Sequence, residues 1–175
     1  MGQSASLPCT PLKERKIVMM GLEGAGKTAI LHWIAHGKAS PEMLQQTITF
    51  NFEEVQREGF ALKIFDIGGH DRQTTFWRHF LAGTHGFIYV VDSSRLDTLS
   101  EARDQMLDLL GYPGMEDVRV LIFATKADTP NAAPVELVGK VMRFEDSRRN
   151  WCIESASAVT GEGVKEGLRW LLNRL

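Results

Sequence analysis

The residues from Gly21 to Thr28 have the types and the spacing that bind the phosphates of a nucleotide. They spell GLEGAGKT, fit the pattern G-x-x-x-x-G-K-S/T and lie between an apolar run and a helical pattern, which is the context of a phosphate loop. Glycines in such a loop turn backbone N–H groups toward phosphate oxygens, and the helix N-terminus adds positive potential. The pattern predicts that Lys27 contacts the terminal phosphates and that Thr28 binds Mg²⁺. Further phosphate contacts are assigned to Glu23, Gly24, Ala25, Gly26 and Ala29.

A carboxylate follows a later apolar run. Asp66 is succeeded by Ile67-Gly68-Gly69-His70. A carboxylate here can hold Mg²⁺ through water, and a glycine lets a backbone N–H approach a terminal phosphate. The alternative is a plain Asp-Gly turn, which the neighbouring phosphate loop makes the weaker interpretation.

Two further polar segments predict a base-binding site. Thr125-Lys126-Ala127-Asp128 and Ser157-Ala158 each follow an apolar run, and such loops meet at the carboxyl edge of an α/β sheet. The Asp128 carboxylate can accept both N–H groups of guanine's N1/N2 edge, where adenine has no matching pair of donors. We therefore expect GTP or GDP as ligand. The alternative, an ATP-dependent kinase, needs an arginine-rich lid, and no compact cluster of that kind occurs.

Apolar runs alternate with amphipathic stretches, which predicts an α/β domain with a mostly parallel sheet. The six predicted strands are Lys16–Met20, Ile48–Gln56, Phe60–Asp66, Gly86–Asp92, Val118–Ala124 and Trp151–Ser155. The four predicted helices are Lys27–His36, Thr98–Leu110, Val135–Phe144 and Gly163–Leu172. Only Arg57-Glu58-Gly59 separates the second and third strands, so these two must form an antiparallel hairpin.

Length and composition exclude several classes of protein. The chain has 175 residues, with 20 basic and 22 acidic side chains giving a formal charge of -2, so we expect one domain and no non-specific nucleic-acid binding. Two cysteines, Cys9 and Cys152, suit a reducing, intracellular compartment. No apolar run approaches the roughly 20 residues of a membrane span, and no apolar secretory signal precedes the domain.

Together these motifs resemble the Arf and Arf-like branch of the Ras-superfamily small GTPases. The phosphate loop is similar to that branch's GLDxAGKT, Thr47-Ile48-Thr49-Phe50-Asn51 to TIGFN, and Asp66-Ile67-Gly68-Gly69 to DVGG. Trp77-Arg78-His79-Phe80 looks like WRHY, and the stretch from Gly161 to Leu168 like GDGLYEGL. The resemblance covers about residues 15–175.

The resemblance implies a P-loop G-domain: a six-stranded, mostly parallel sheet with one antiparallel pair and helices on both faces. It implies a switch between GTP and GDP with Mg²⁺, in which Thr47 ligates the metal, Thr47 and Gly69 sense the γ-phosphate, and His70 positions the attacking water. His70, Lys27 and Gly69 are thus the expected catalytic residues. The implied base contacts come from Thr125, Lys126, Asp128, Ser157 and Ala158.

The resemblance also implies effectors, an exchange factor and an activating protein as partners. The sequence gives no reason to expect an obligate oligomer, so we expect a monomer. Its expected effector interface is aromatic and consists of Phe50, Phe65 and Phe80, with Trp77 beside them. Aromatic side chains on strands are more often core, so burial is the alternative for each.

Hydrolysis is expected to be slow. Where the family usually has glutamine, this chain has His70, and neutral imidazole can still hold or deprotonate water. Gln45 and Gln46 precede Thr47, so no arginine is available there in cis, and we expect an activating protein to supply charge in trans. The alternative is a GTP-loaded scaffold with negligible hydrolysis, which His70, Gln46 and Thr49 motivate.

Residues 1–14 are expected to form an arm outside the domain. The first six, Met1 to Ser6, fit M-G-x-x-x-S/T, the pattern for myristoylation of Gly2, with an unmodified tail as the alternative. One such chain binds membrane only marginally, so Cys9 is a candidate palmitoylation site. Lys13, Arg15 and Lys16 add weak attraction to anionic lipid. The expected location is the cytoplasmic face of a membrane.

Overall fold

The computed structural model describes residues 11–38, 50–68, 74–142 and 149–175. Six strands form one sheet: Lys13–Met20 (β1), Phe50–Arg57 (β2), Phe60–Ile67 (β3), Gly86–Asp92 (β4), Arg119–Thr125 (β5) and Trp151–Ser155 (β6). The described helices are Lys27–His36 (α1), Thr74–Leu81 (α2), Leu99–Leu110 (α3), Val135–Met142 (α4) and Val164–Leu172 (α5). A short 3₁₀ turn, Leu96–Thr98, precedes α3.

The strand order is β2-β3-β1-β4-β5-β6. All neighbours are parallel except β2 and β3, which are antiparallel. This confirms the predicted six-stranded, mostly parallel sheet with one hairpin. The hairpin turn contains only Glu58 and Gly59, because Arg57 already pairs with Phe60. Both turn residues have positive φ, the backbone geometry that matches the twist of the flanking strands.

Apolar side chains fill both faces of the sheet. Along β4, Phe87, Tyr89 and Val91 join one core cluster, and Ile88 and Val90 join the other, because successive strand residues point to opposite faces. Helices α2, α3 and α4 cover the first face, and α1 and α5 cover the second. Among the described helices, none has both the length and the apolar character that crossing a bilayer requires.

The structure corrects some of the predicted elements. It has a fifth helix, α2, which the sequence pattern does not predict because threonine and aromatic side chains have modest helix propensity. Strand β1 begins at Lys13, so it includes two residues assigned to the arm, Lys13 and Glu14. The predicted start of β2 at Ile48 and end of α4 at Phe144 lie outside the described residues, as do residues 1–10 of the arm.

Candidate functional site

The phosphate loop connects β1 to α1, at the carboxyl edge of the sheet. Its backbone has positive φ at Gly24 and at Gly26, which is the N-cap of α1, with values of 75° and 93°. Helix geometry leaves the first N–H groups of α1 without intrahelical acceptors. This helix N-terminus can therefore bind an anion, as the sequence predicts for Lys27, Thr28 and Ala29.

The Lys27 side chain lies inside the loop. It is 6% exposed, and its Nζ donates hydrogen bonds of 3.0 Å to the carbonyl oxygens of Gly21 and Leu22. Burial lowers the pKa of the Lys27 ammonium, and the nearby charges of Asp66 and Glu23 oppose that shift. A cation surrounded by loop backbone is suited to the terminal phosphates of a nucleotide. The residues present therefore fit this ligand.

Thr28 and Asp66 meet beside the loop. The Thr28 hydroxyl donates to Asp66 Oδ2 at 2.6 Å, and Asn51 Nδ2 donates to the same oxygen at 3.3 Å. Asp66 is fully buried, and its position follows from the sheet register, which places it opposite Met19 of β1. Hydroxyl and carboxylate oxygens are the ligands that Mg²⁺ prefers, so this pair fits a metal held against the phosphates.

Three of the predicted base contacts lie at the end of β5 and just after it: Thr125 is buried, Lys126 is partly exposed and Asp128 is exposed. Asp128 is exposed, and no described residue donates a hydrogen bond to its carboxylate, so this side chain is available to a ligand. Thr125 is 2% exposed. Its hydroxyl lies 2.6 Å from the Ala25 carbonyl oxygen and 2.9 Å from that of Val91. Thr125 therefore ties the phosphate loop to this segment, a contact that the sequence does not predict.

The segment after β6 forms a tight turn. Ser157 is fully buried, and its Oγ accepts hydrogen bonds of 3.1 Å from the N–H groups of Val159 and Thr160. Its side chain thus shapes the turn that presents Ala158. The Ala127 N–H donates to the Ala156 carbonyl at 3.2 Å, which joins this turn to the segment after β5.

Four phenylalanine rings form an aromatic patch on β2, β3 and α2: Phe50, Phe52, Phe65 and Phe80. Neighbouring ring centroids lie 4.9 to 6.4 Å apart. Phe50 and Phe52 are 43% and 42% exposed. Phe52 was not among the predicted interface residues, although its position two residues after Phe50 on a strand places both on one face.

Trp77 was wrongly expected at this interface. It is 5% exposed and belongs to the core with Leu81. These two residues are four positions apart on α2, so they lie on the same side of the helix, and that side faces the sheet. Trp77 can support the patch from beneath but cannot present its ring to a partner.

Five predicted site residues lie outside the described residues. They are the γ-phosphate sensors, the water-positioning histidine and the two lipidation sites: Thr47, Gly69, His70, Gly2 and Cys9. Their assigned roles remain predictions.

The phosphate loop lies at the switch point of this sheet, where α/β folds bind their ligands. The model of the ADP-ribosylation factor family, Arf, matches residues 5–175. The chain therefore belongs to the Arf family, whose members bind and hydrolyse GTP. Among solved structures, it is similar to the Arl6 BBS3 small GTPase from Trypanosoma brucei with bound nucleotide analogue GppNp. The TM-score is 0.79 and the identity 25%, over 92% of this chain and 96% of that chain.

Proposed function

We propose that this protein is an Arf-like regulatory switch whose GTP form binds effectors through the aromatic patch. The observation that supports this most directly is the position of Asp66 and its hydrogen-bond donor Asn51 on the β2–β3 hairpin. Asn51 follows Phe50 on β2, and Asp66 follows Phe65 on β3. Adjacent strand residues point to opposite faces, so one hairpin has Asn51 and Asp66 on its α1 face and the patch on the other.

This arrangement supports a coupling between ligand and patch. The Thr28 hydroxyl holds Asp66 at 2.6 Å, and Asp66 is covalently adjacent to Phe65. Any displacement of Asp66 along the strand displaces Phe65 by the same distance. Bound Mg²⁺ would supply charge neutralisation for the phosphates. Thr28 and Asp66 are the described residues that would hold it.

The reset of the switch is assigned to residues outside the described structure. Thr47 and Gly69 would sense the γ-phosphate, and His70 would position the attacking water. Stabilisation of this transition state depends on geometry and charge, and no cis arginine precedes Thr47. The proposal is therefore slow intrinsic hydrolysis that an activating protein accelerates in trans.

Membrane association is proposed through the N-terminal arm, with a myristoyl group on Gly2 and Cys9 as a second attachment point. The basic residues that follow contribute unequally. Lys13 is exposed, whereas Arg15 donates to the Leu175 carbonyl at 2.9 and 3.1 Å and Lys16 to the Ala82 carbonyl at 2.7 Å. Lys13 is thus the most accessible of the three for anionic lipid on the cytoplasmic face.

Nucleotide identity and turnover test the proposal. The purified protein is denatured and the released nucleotide identified, and GTP hydrolysis is then followed in a single turnover with Mg²⁺ or with EDTA. Released GDP and slow, Mg²⁺-dependent turnover are expected. Retained GTP without turnover, even with Arf-type activating proteins, would favour the GTP-loaded scaffold. A bound adenine nucleotide would contradict the base assignment.

A further inference from the structure

Asp92 is the last residue of β4 and lies at the carboxyl edge of the sheet, where it pairs with Thr125 at the start of the predicted base-binding segment, residues 125–128. Its carboxylate is fixed on both sides. Asp92 Oδ2 lies 2.5 Å from Lys126 Nζ, and Oδ1 accepts hydrogen bonds from the Ser94 N–H at 2.9 Å and the Ser94 hydroxyl at 2.5 Å. The residue is 7% exposed. It is therefore a rigid acceptor, held by its own loop, for the Lys126 ammonium.

The backbone end of Lys126 is fixed as well. Its φ of 60° is unusual for a non-glycine residue and persists only where surrounding contacts impose it. Thr129 supplies such contacts, because its N–H and hydroxyl donate to the Lys126 carbonyl at 3.0 and 2.8 Å. The preceding residue, Thr125, is tied to the phosphate loop through the Ala25 carbonyl.

With both ends fixed, the four methylene groups of Lys126 must span the distance between them. The Lys126 side chain remains 40% exposed while Asp92 holds the ammonium, so part of it is available to a ligand. Lys126 follows Thr125, which is bound to the phosphate loop, and precedes Asp128 by two residues. A nucleotide with its phosphates on the loop and its base at Asp128 would therefore pass close to the Lys126 side chain.

We propose that Asp92 is a positioning residue for the base: by holding the Lys126 ammonium, it keeps the Lys126 stem stretched as an apolar surface under guanine. The inference rests on the proposed function, since it takes guanine nucleotide as the ligand. An unbound lysine side chain samples many rotamers and would have to be ordered when the ligand binds. The ion pair orders it beforehand.

The test compares a ligand that has a base with one that lacks it. The variant is Asp92→Asn in the full chain, and the affinities of GDP and of ribose 5′-diphosphate are measured by competition with a fluorescent GDP derivative. Loss of a hydrogen bond between charged groups corresponds to about a tenfold change in affinity. We expect the GDP dissociation constant to rise by about that factor, with ribose 5′-diphosphate changed by less than about twofold.

Asp97→Asn is the matched control. Asp97 is five positions further along the same loop and pairs with Arg95 at 3.1 Å, with the two side chains 71% and 57% exposed. The same chemical change at this exposed pair should leave both affinities unaltered. A general effect of removing negative charge from the loop would appear in both variants and would overturn the inference.

A second variant is available if Asp92→Asn does not fold. Lys126→Met keeps an unbranched apolar side chain and removes the ammonium, so we expect weaker GDP binding with ribose 5′-diphosphate retained. In that background, Asp92→Asn should add no further loss of GDP affinity.

Three results overturn the inference. If Asp92→Asn lowers the affinities for GDP and for ribose 5′-diphosphate by the same factor, the role of Asp92 is purely structural. If the variant leaves the GDP affinity unchanged, Asp92 has no role in binding. If Lys126→Met binds GDP as tightly as the wild type does, the ion pair between Asp92 and Lys126 does not contribute to binding of the base. If the wild-type protein binds no guanine nucleotide, the proposed function itself is wrong. The role of Asp92 is tested separately, by the variants, in a wild-type background that does bind GDP.

Discussion

Replacing the Thr28 hydroxyl by a methyl group is the most direct perturbation of the metal-site pair. Thr28→Val keeps the β-branched shape but removes the donor that lies 2.6 Å from Asp66 Oδ2. Asp66 is fully buried, so its carboxylate cannot recover this hydrogen bond from bulk water. The variant tests whether the pair stabilises the fold and holds the metal.

The expected loss follows from the charge of the acceptor. A hydrogen bond to a charged group contributes about 2 kcal/mol. For a chain of 175 residues, this lowers the melting temperature by about 4 to 8 °C. The control is Thr28→Ser, which keeps the hydroxyl and loses one methyl group, at a cost below about 1 kcal/mol.

Thermal unfolding in excess GDP, with EDTA or with Mg²⁺, measures both effects. In EDTA, the melting temperature of Thr28→Val should lie below that of Thr28→Ser by most of the predicted difference of about 4 to 8 °C. Added Mg²⁺ should raise the melting temperature of the wild type and of Thr28→Ser, because a ligand of the folded state stabilises it, but not that of Thr28→Val. Equal melting of the two variants in EDTA, or an equal Mg²⁺ gain in all three proteins, would refute the reasoning.

Three further variants test other parts of the structure. Gly161→Ala places a Cβ 1.9 Å from the Trp33 ring, so calorimetry should show a loss of about 2 kcal/mol; an unchanged melting temperature would contradict this packing. Arg57→Gln removes a cation from the C-terminus of α1 and should cost about 0.5 kcal/mol in urea unfolding, less at high salt. Burial alone would raise the pKa of Asp92, but hydrogen bonds from Lys126 and Ser94 outweigh it and hold the pKa below its ordinary value. Its stabilising contribution is therefore complete above about pH 4 and is lost as pH falls through the lower folded pKa. Asp92→Asn should flatten the acid side of the pH–stability profile, and parallel profiles would count against the ion pair.

Helix α2 shows where sequence periodicity is insufficient to predict the fold. The strands β4 and β5 are continuous apolar runs, and their buried positions follow directly from that pattern. Residues 74–81 contain two threonines and three aromatic residues, which favour strands as much as helices. The helix is stabilised by burial of Trp77 and Leu81 against the sheet, and a contact with a distant strand is not visible in a local pattern.

The candidate site also has one part that a local sequence pattern predicts and another part that it does not. The phosphate loop is contiguous in sequence, so its motif predicts the position of Lys27 and Thr28 from eight residues. The contacts that fix the predicted base-binding residues are not contiguous, since Lys126 pairs with Asp92 and Thr125 bonds to Ala25, which are 34 and 100 positions away. Those contacts depend on which strands are neighbours and in which register.

The β2–β3 hairpin is bound to both ends of α1. At the first turn, Thr28 donates to Asp66, and at the last turn, Arg57 donates to the carbonyls of Ile34 and Ala35 at 3.1 and 3.2 Å. A carboxylate at the N-terminus and a guanidinium at the C-terminus both complement the helix dipole. A two-residue slip of the hairpin, about 6.6 Å, keeps every side chain on its original face, so the apolar alternation does not distinguish the observed register from one shifted by two residues. The slip would break both polar contacts, and these contacts therefore favour the register that places the metal-site carboxylate beside the phosphate loop.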